Sequence, residues 1–136
     1  MSTIFSKIVS GELPAYKVAE SNDYLAFLDV RPLTRGHVLV IPKEETDYIF
    51  DIGDDSYMSM WMFAKIVAQG IKRAIPCIRV GVAVVGLEVA HAHIHLVPIN
   101  QISDLNFENP KLSFSEDEMS ETAEQIREAI SQITHG

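Results

Sequence analysis

The sequence predicts an α+β domain: an antiparallel sheet of about five strands, one long helix and a C-terminal helix. Three observations carry that prediction. Apolar residues alternate over five short segments separated by turn residues. A single long stretch in the middle of the chain changes to a three- and four-residue period. The connections between neighbouring strand segments are mostly too short for parallel crossovers.

The elements follow in order. Lys7 and Ile8 belong to a short amphipathic opening that Ser10-Gly11-Glu12-Leu13-Pro14 ends with turn chemistry. Tyr16 to Glu20 alternates as a strand, Ser21-Asn22-Asp23 turns, and Tyr24 to Leu28 returns, which makes a hairpin. After a loop from Pro32 to Gly36, His37-Val38-Leu39-Val40-Ile41 reads as a buried strand stopped by Pro42. From Asp55 to Ile75, Met60, Phe63, Ile66, Val67, Gly70, Ile71 and Ala74 mark one face of the long helix. Its acidic start (Asp54, Asp55), basic end (Lys72, Arg73) and following Pro76 suit the helix dipole and proline geometry. Ile78 to Val85 is an apolar run expected to be a central strand covered on both faces. His91 to Val97 alternates until Pro98. Residues 101–136 form an extension packed on the same domain. Its terminal helix opens with a Ser115-to-Glu118 capping box and carries Met119, Ala123, Ile126 and Ile130 on one face.

Composition narrows the function. At 136 residues the chain fits one domain. Eleven basic against nineteen acidic residues leave a formal charge of −8, which opposes nucleic-acid polymers and anionic membranes. A small anionic ligand needs local donors instead. One cysteine, Cys77, permits no intrachain disulfide and suits a reducing compartment; it is expected to pack as a small apolar residue. The first residues lack the apolar core of a signal peptide, and no apolar run reaches the roughly 20 residues a bilayer requires. A cytoplasmic location is expected. Trp61, Met58, Met60 and Met62 are expected in the core or a dimer interface.

The chemistry concentrates in His91-Ala92-His93-Ile94-His95. A strand's two-residue period sends all three histidines to one face, about 6.7 Å apart, and Ala92, Ile94 and Leu96 to the other. One such histidine is ordinarily a polar residue facing solvent. Three in register point to a site. A His-x-His metal site would need His37, Glu88 or Asp29 as a further ligand, and a straight strand brings the outer imidazoles poorly to one ion. Catalysis on phosphorus needs one imidazole to attack while its neighbours donate to phosphate oxygens.

The run His91-Ala92-His93-Ile94-His95-Leu96-Val97 resembles the His-φ-His-φ-His-φ-φ signature of the histidine triad (HIT) family of nucleotide hydrolases and transferases. Ile4-Phe5-Ser6-Lys7-Ile8, Leu25 to Val30 and Gly36 to Pro42 are similar to that family's other motifs, in order and spacing. The resemblance covers residues 3–100, is closest to the Hint-like branch, and implies a HIT-like domain there. It implies that His93 is the nucleophile forming a nucleotidyl-histidine, that His91 orients it, and that His95 contacts phosphate or leaving group. It further implies an apolar nucleoside slot at Phe5, Ile8, Phe27 and Val30, with Asp29 accepting from the ribose hydroxyls and His37 beside it. A purine nucleotide substrate, a homodimer and no cofactor complete the expectation.

The departures bear on substrate. Where some relatives carry zinc ligands this chain has Thr3, Ser6 and Glu45, so no structural zinc is expected. The relatives' phosphate-contacting Asn-x-Gly is replaced by Ala83-Val84-Val85-Gly86. Three residues before the first histidine stands Glu88 in place of a hydroxyl. Strand alternation run back from His91 through Val89 would turn Glu88 away from the triad face as a surface acid, whereas a bend that Gly86 permits would bring it to the site. It is placed with the catalytic group on the second reading, because the corresponding hydroxyl in relatives faces the phosphate. The leading reading is attack on the α-phosphorus of a nucleoside phosphoramidate or dinucleoside polyphosphate. A non-catalytic purine-nucleotide-binding module and a His-x-His metal protein are the alternatives.

Overall fold

The computed structural model describes residues 2–135. Helix α1 spans Ile4–Ser10 and strands β1 (Lys17–Glu20), β2 (Tyr24–Leu28) and β3 (Val38–Pro42) follow. A single 3₁₀ turn at Ile49–Asp51 leads into α2 (Asp54–Ala74), then come β4 (Arg79–Ala83) and β5 (Ile94–Ile99). A second 3₁₀ turn at Ile102–Leu105 precedes α3 (Glu116–His135). The five strands form one antiparallel sheet in the order β1-β2-β3-β5-β4.

Local chemistry explains the ends. Thr3 Oγ1 accepts from Ser6 N and the Ser6 hydroxyl donates to Thr3 O, which starts α1. Gly11, at φ 87°, ends it in the left-handed conformation that glycine tolerates. The expected capping box at α3 is formed: Glu118 N donates to Ser115 Oγ at 3.1 Å and Ser115 N to Glu118 Oε1 at 2.9 Å.

The sheet has two unlike faces. Ala26, Leu28, Val38, Val40, Ile94 and Leu96 pack under α2 and α3, joined by Met60, Val67, Ile71, Ala123 and Ile126. Gly70 lets the two helices touch, since a Cβ there would lie 2.3 Å from Ile130 Cγ1. The opposite face holds a smaller cluster in which Phe5 and Ile8 of α1 meet Leu25, Phe27, Leu39 and Ile41. Because β5 alternates, His95 lies opposite Leu39 and therefore on this thinly covered face.

Two expectations fail. The Ile78–Val85 run is no doubly covered central strand: β4 lies at the sheet edge, and Val82 and Val85 are exposed. Apolar composition reports burial in some environment, and among the described residues no strand pairs with the outer edge of β4. The histidine motif also does not lie wholly on a strand. Pairing begins at Ile94, so His91 and His93 sit in an irregular approach, and the regular 6.7 Å ladder is broken. Of the α2 methionines, Met60 is buried, while Met58 and Met62 are exposed. Among the described residues no helix is long and apolar enough to cross a membrane.

Candidate active site

The approach to β5 and the loop between β2 and β3 place the histidines. His91 is fully buried and turned away from solvent. A carbonyl can only accept, so His91 Nε2–H donates to Pro42 O at 2.7 Å. Its Nδ1 then accepts from the Thr3 hydroxyl at 3.2 Å, and Phe5 packs edge-on against its ring. Both nitrogens are engaged, and burial pushes its pKa down. His91 thus belongs to the floor. What it offers the site is its carbonyl oxygen, to which His93 Nδ1–H donates at 2.8 Å. The remaining lone pair of a neutral His93 is on Nε2.

A second chain of hydrogen bonds sets His95. Leu33 N–H donates to His37 Nδ1 at 3.0 Å, which makes Nδ1 the acceptor and leaves the proton on Nε2. His37 Nε2–H therefore donates to His95 Nδ1 at 3.0 Å, and His95 carries its own proton on Nε2. Burial, with the neighbouring imidazole second, lowers His37 to about 3 and His95 to about 4. Both rings are neutral at physiological pH. One unambiguous backbone donor has fixed two tautomers.

His37, His93 and His95 line a cleft of about 410 Å³ with Phe5, Asp29, Val30, Glu88, Phe107 and Lys111. The rings of His93 and His95 are 4.9 Å apart, and Phe5 lies 5.0 Å from His93. A narrower slot of about 80 Å³ is lined by Phe5, Ile8, Phe27, Val30 and Asp29, and shares Phe5, Asp29 and Val30 with the cleft. All four residues expected to form an apolar slot thus meet there. Asp29 stands at the junction. Its Oδ1 accepts from Arg31 N at 2.9 Å, and burial raises its pKa. Glu88 is exposed, lies in an irregular stretch of bends, and lines the cleft.

Asp29, His37 and His95 also offer ligand atoms within 4.8 Å of one another. The donor set does not fit a metal. An ion on His37 Nε2 would move that ring's proton to Nδ1, where it would confront the Leu33 N–H.

The comparison with known families decides the affiliation. The HIT domain model matches residues 10–102. The chain belongs to the HIT family. A similar protein is an adenosine 5'-monophosphoramidase of Schizosaccharomyces pombe, 33% identical over 132 residues, covering 96% of this chain and 99% of that one. An uncharacterized HIT-like protein of Borreliella burgdorferi is 39% identical over 102 residues, covering 70% and 73%. Among solved structures, a zinc-bound histidine triad protein of Mycobacterium smegmatis superposes with a TM-score of 0.84 at 30% identity, covering 99% and 97%.

Sequence reasoning missed Phe107 and Lys111. Both come from the Asn- and Pro-containing connection after β5, beyond the matched residues 10–102. Phe107 packs 4.6 Å from the His95 ring. The contact depends on a distant docking bond, Leu112 N to Pro32 O at 2.9 Å, which leaves no local signal in the sequence.

Proposed function

We propose that this HIT protein hydrolyses nucleoside phosphoramidates through a covalent nucleotidyl-histidine on His93. The observation that carries the reading is the bond from His93 Nδ1–H to His91 O, which leaves Nε2 as the nucleophilic lone pair in the cleft. The similarity to an adenosine 5'-monophosphoramidase favours a phosphorus–nitrogen bond as the target.

Attack by His93 Nε2 on the α-phosphorus forms a phosphorus–nitrogen bond to the imidazole. The bond to the leaving nitrogen breaks, and that nitrogen keeps the electron pair and takes a proton from water at the open mouth. Water then attacks phosphorus, the bond to Nε2 breaks with its pair returning to His93, and the water's proton goes to solvent. His95 Nε2–H donates to a phosphate oxygen in both steps without giving up its proton. Asp29 accepts from the ribose hydroxyls, and Phe5, Ile8, Phe27 and Val30 wall a purine. His37 acts through His95. Glu88, an anion at the mouth, disfavours a polyphosphate leaving group and tolerates an amine. The same reading includes a homodimer joined along β4, an edge strand on which Val82 is exposed.

Incubation with adenosine 5'-phosphoramidate, with and without chelator, tests the function. AMP release that survives chelation, with an acid-labile adenylyl group on His93 in quenched samples, is the expected result. Tight AMP binding without release would make the chain a binding module instead.

A further inference from the structure

The cleft must hold an anion, yet two of its imidazoles bring no charge. His37 and His95 are neutral, and two carboxylates, Asp29 and Glu88, line the same cavity in a chain of net charge −8. A phosphate placed beside His93 therefore needs a local cation. Arg31 and Lys111 are the cations lining the cleft among the described residues. Arg31 is exposed at the rim. Lys111 is half-buried, and its ammonium donates to Phe107 O and, at 3.2 Å, to Asn109 O. Two of its three protons are thus taken by carbonyls and one remains.

The segment carrying it is built and anchored. Asn109 N donates to Asn106 O at 3.0 Å, Asn109 Nδ2 to Ser103 O at 2.7 Å, and Leu112 N to Pro32 O at 2.9 Å. The Phe107 ring sits 4.6 Å from His95. Its carbonyl, in turn, accepts from the Lys111 ammonium, and Lys111 and His95 line the same cleft. Burial raises the pKa of Asp29 and lowers that of His37; the Lys111 charge opposes the first shift and adds to the second, so its field reaches both groups.

We propose that Lys111 is the cation that binds the nucleotide's α-phosphate, delivered by a turn outside the HIT-matching residues. The third proton of the ammonium makes a charge-assisted bond to a non-bridging phosphate oxygen, opposite the edge that His95 contacts. The proposal rests on the nucleotide reading above, but binding alone can test it.

Calorimetric titration of AMP and of adenosine into wild type, Lys111→Met and Lys111→Arg separates the possibilities. Lys111→Met keeps the aliphatic stem and removes the charge. It is expected to weaken AMP roughly 10- to 100-fold while adenosine affinity stays within about twofold. Lys111→Arg is expected to restore most of the AMP affinity. An unchanged ratio of AMP to adenosine affinity in Lys111→Met would overturn the proposal. So would a parallel loss of both, which would mean that Lys111 only holds the turn. Turnover of adenosine 5'-phosphoramidate is read separately. If wild type binds AMP but releases none from the phosphoramidate, the hydrolase reading fails while the affinity ratio still decides the role of Lys111.

Discussion

Two cavities of similar size are bordered by neighbouring residues, one by Ala92 and the other by His93, and they are built on opposite principles. The histidine cleft, about 410 Å³, gathers imidazoles whose protons are placed by backbone groups. The other, about 340 Å³, is lined by Tyr48, Phe50, Tyr57, Trp61, Val84, Val85 and Leu87. Trp61 Nε1, buried in its lining, has no hydrogen-bond partner among the described residues. Size and apolar walls do not distinguish a reactive site from a packing surface. Convergent polar groups with determined proton positions do. The aromatic cavity is lined by Val84, Val85, Gly86 and Leu87, which directly follow the edge strand β4.

Removing the nucleophile breaks the contrast most severely. His93→Ala should lower turnover of adenosine 5'-phosphoramidate by about 10³-fold or more, with AMP affinity within a few-fold, because a covalent step is lost and most nucleotide contacts remain. Steady-state kinetics beside AMP titration checks both halves. Wild-type turnover in this variant would remove His93 from the chemistry.

The neutral, buried pair His37 and His95 sharpens the contrast through pH. Their folded-state pKa values, about 3 and about 4, lie below the unfolded value of 6.5. Between these limits the unfolded chain binds more protons, so stability is fully present above about pH 6.5 and declines as pH falls toward 4. Each histidine adds at most about 1.4 kcal/mol per pH unit to that slope. Urea midpoints between pH 7 and 4.5 should fall steadily in wild type and less steeply in His37→Gln. Equal slopes would show that His37 takes up its proton without cost in the folded state.

The smallest effect concerns the other cavity's neighbourhood. Val82→Lys places a charge on the exposed β4 edge and should weaken self-association about tenfold or more, leaving AMP affinity per chain unchanged. Light scattering should show twice 15.2 kDa for wild type and a mass falling toward 15.2 kDa on dilution of the variant. A wild-type monomer at micromolar concentration would end the dimer reading.

Much of this architecture is legible in the residues themselves. Alternation and turn chemistry locate the β1–β2 hairpin and β3. The helical period places α2 within a residue of its Asp54–Ala74 limits, and Ser115 with Glu118 marks the start of α3. These features are encoded locally, since each depends on side chains a few residues apart. The histidine motif likewise names His93 and His95 without help from the fold. Other properties exist only once distant segments meet. That β4 lies at an edge is a fact of sheet order, invisible to an apolar run that reads the same beneath helices or against another chain. That His91 turns to the floor depends on Pro42 and Thr3, and the tautomer of His95 depends on the Leu33 amide, relayed through His37. Lys111 reaches the cleft because its turn docks on Pro32, 80 positions away in the chain. The sequence by itself determined which chemical groups are present and which stretches form helices and strands. Tertiary structure alone decided where their protons lie and which of them face one another, because hydrogen-bond partners and burial are set by contacts that no local pattern records.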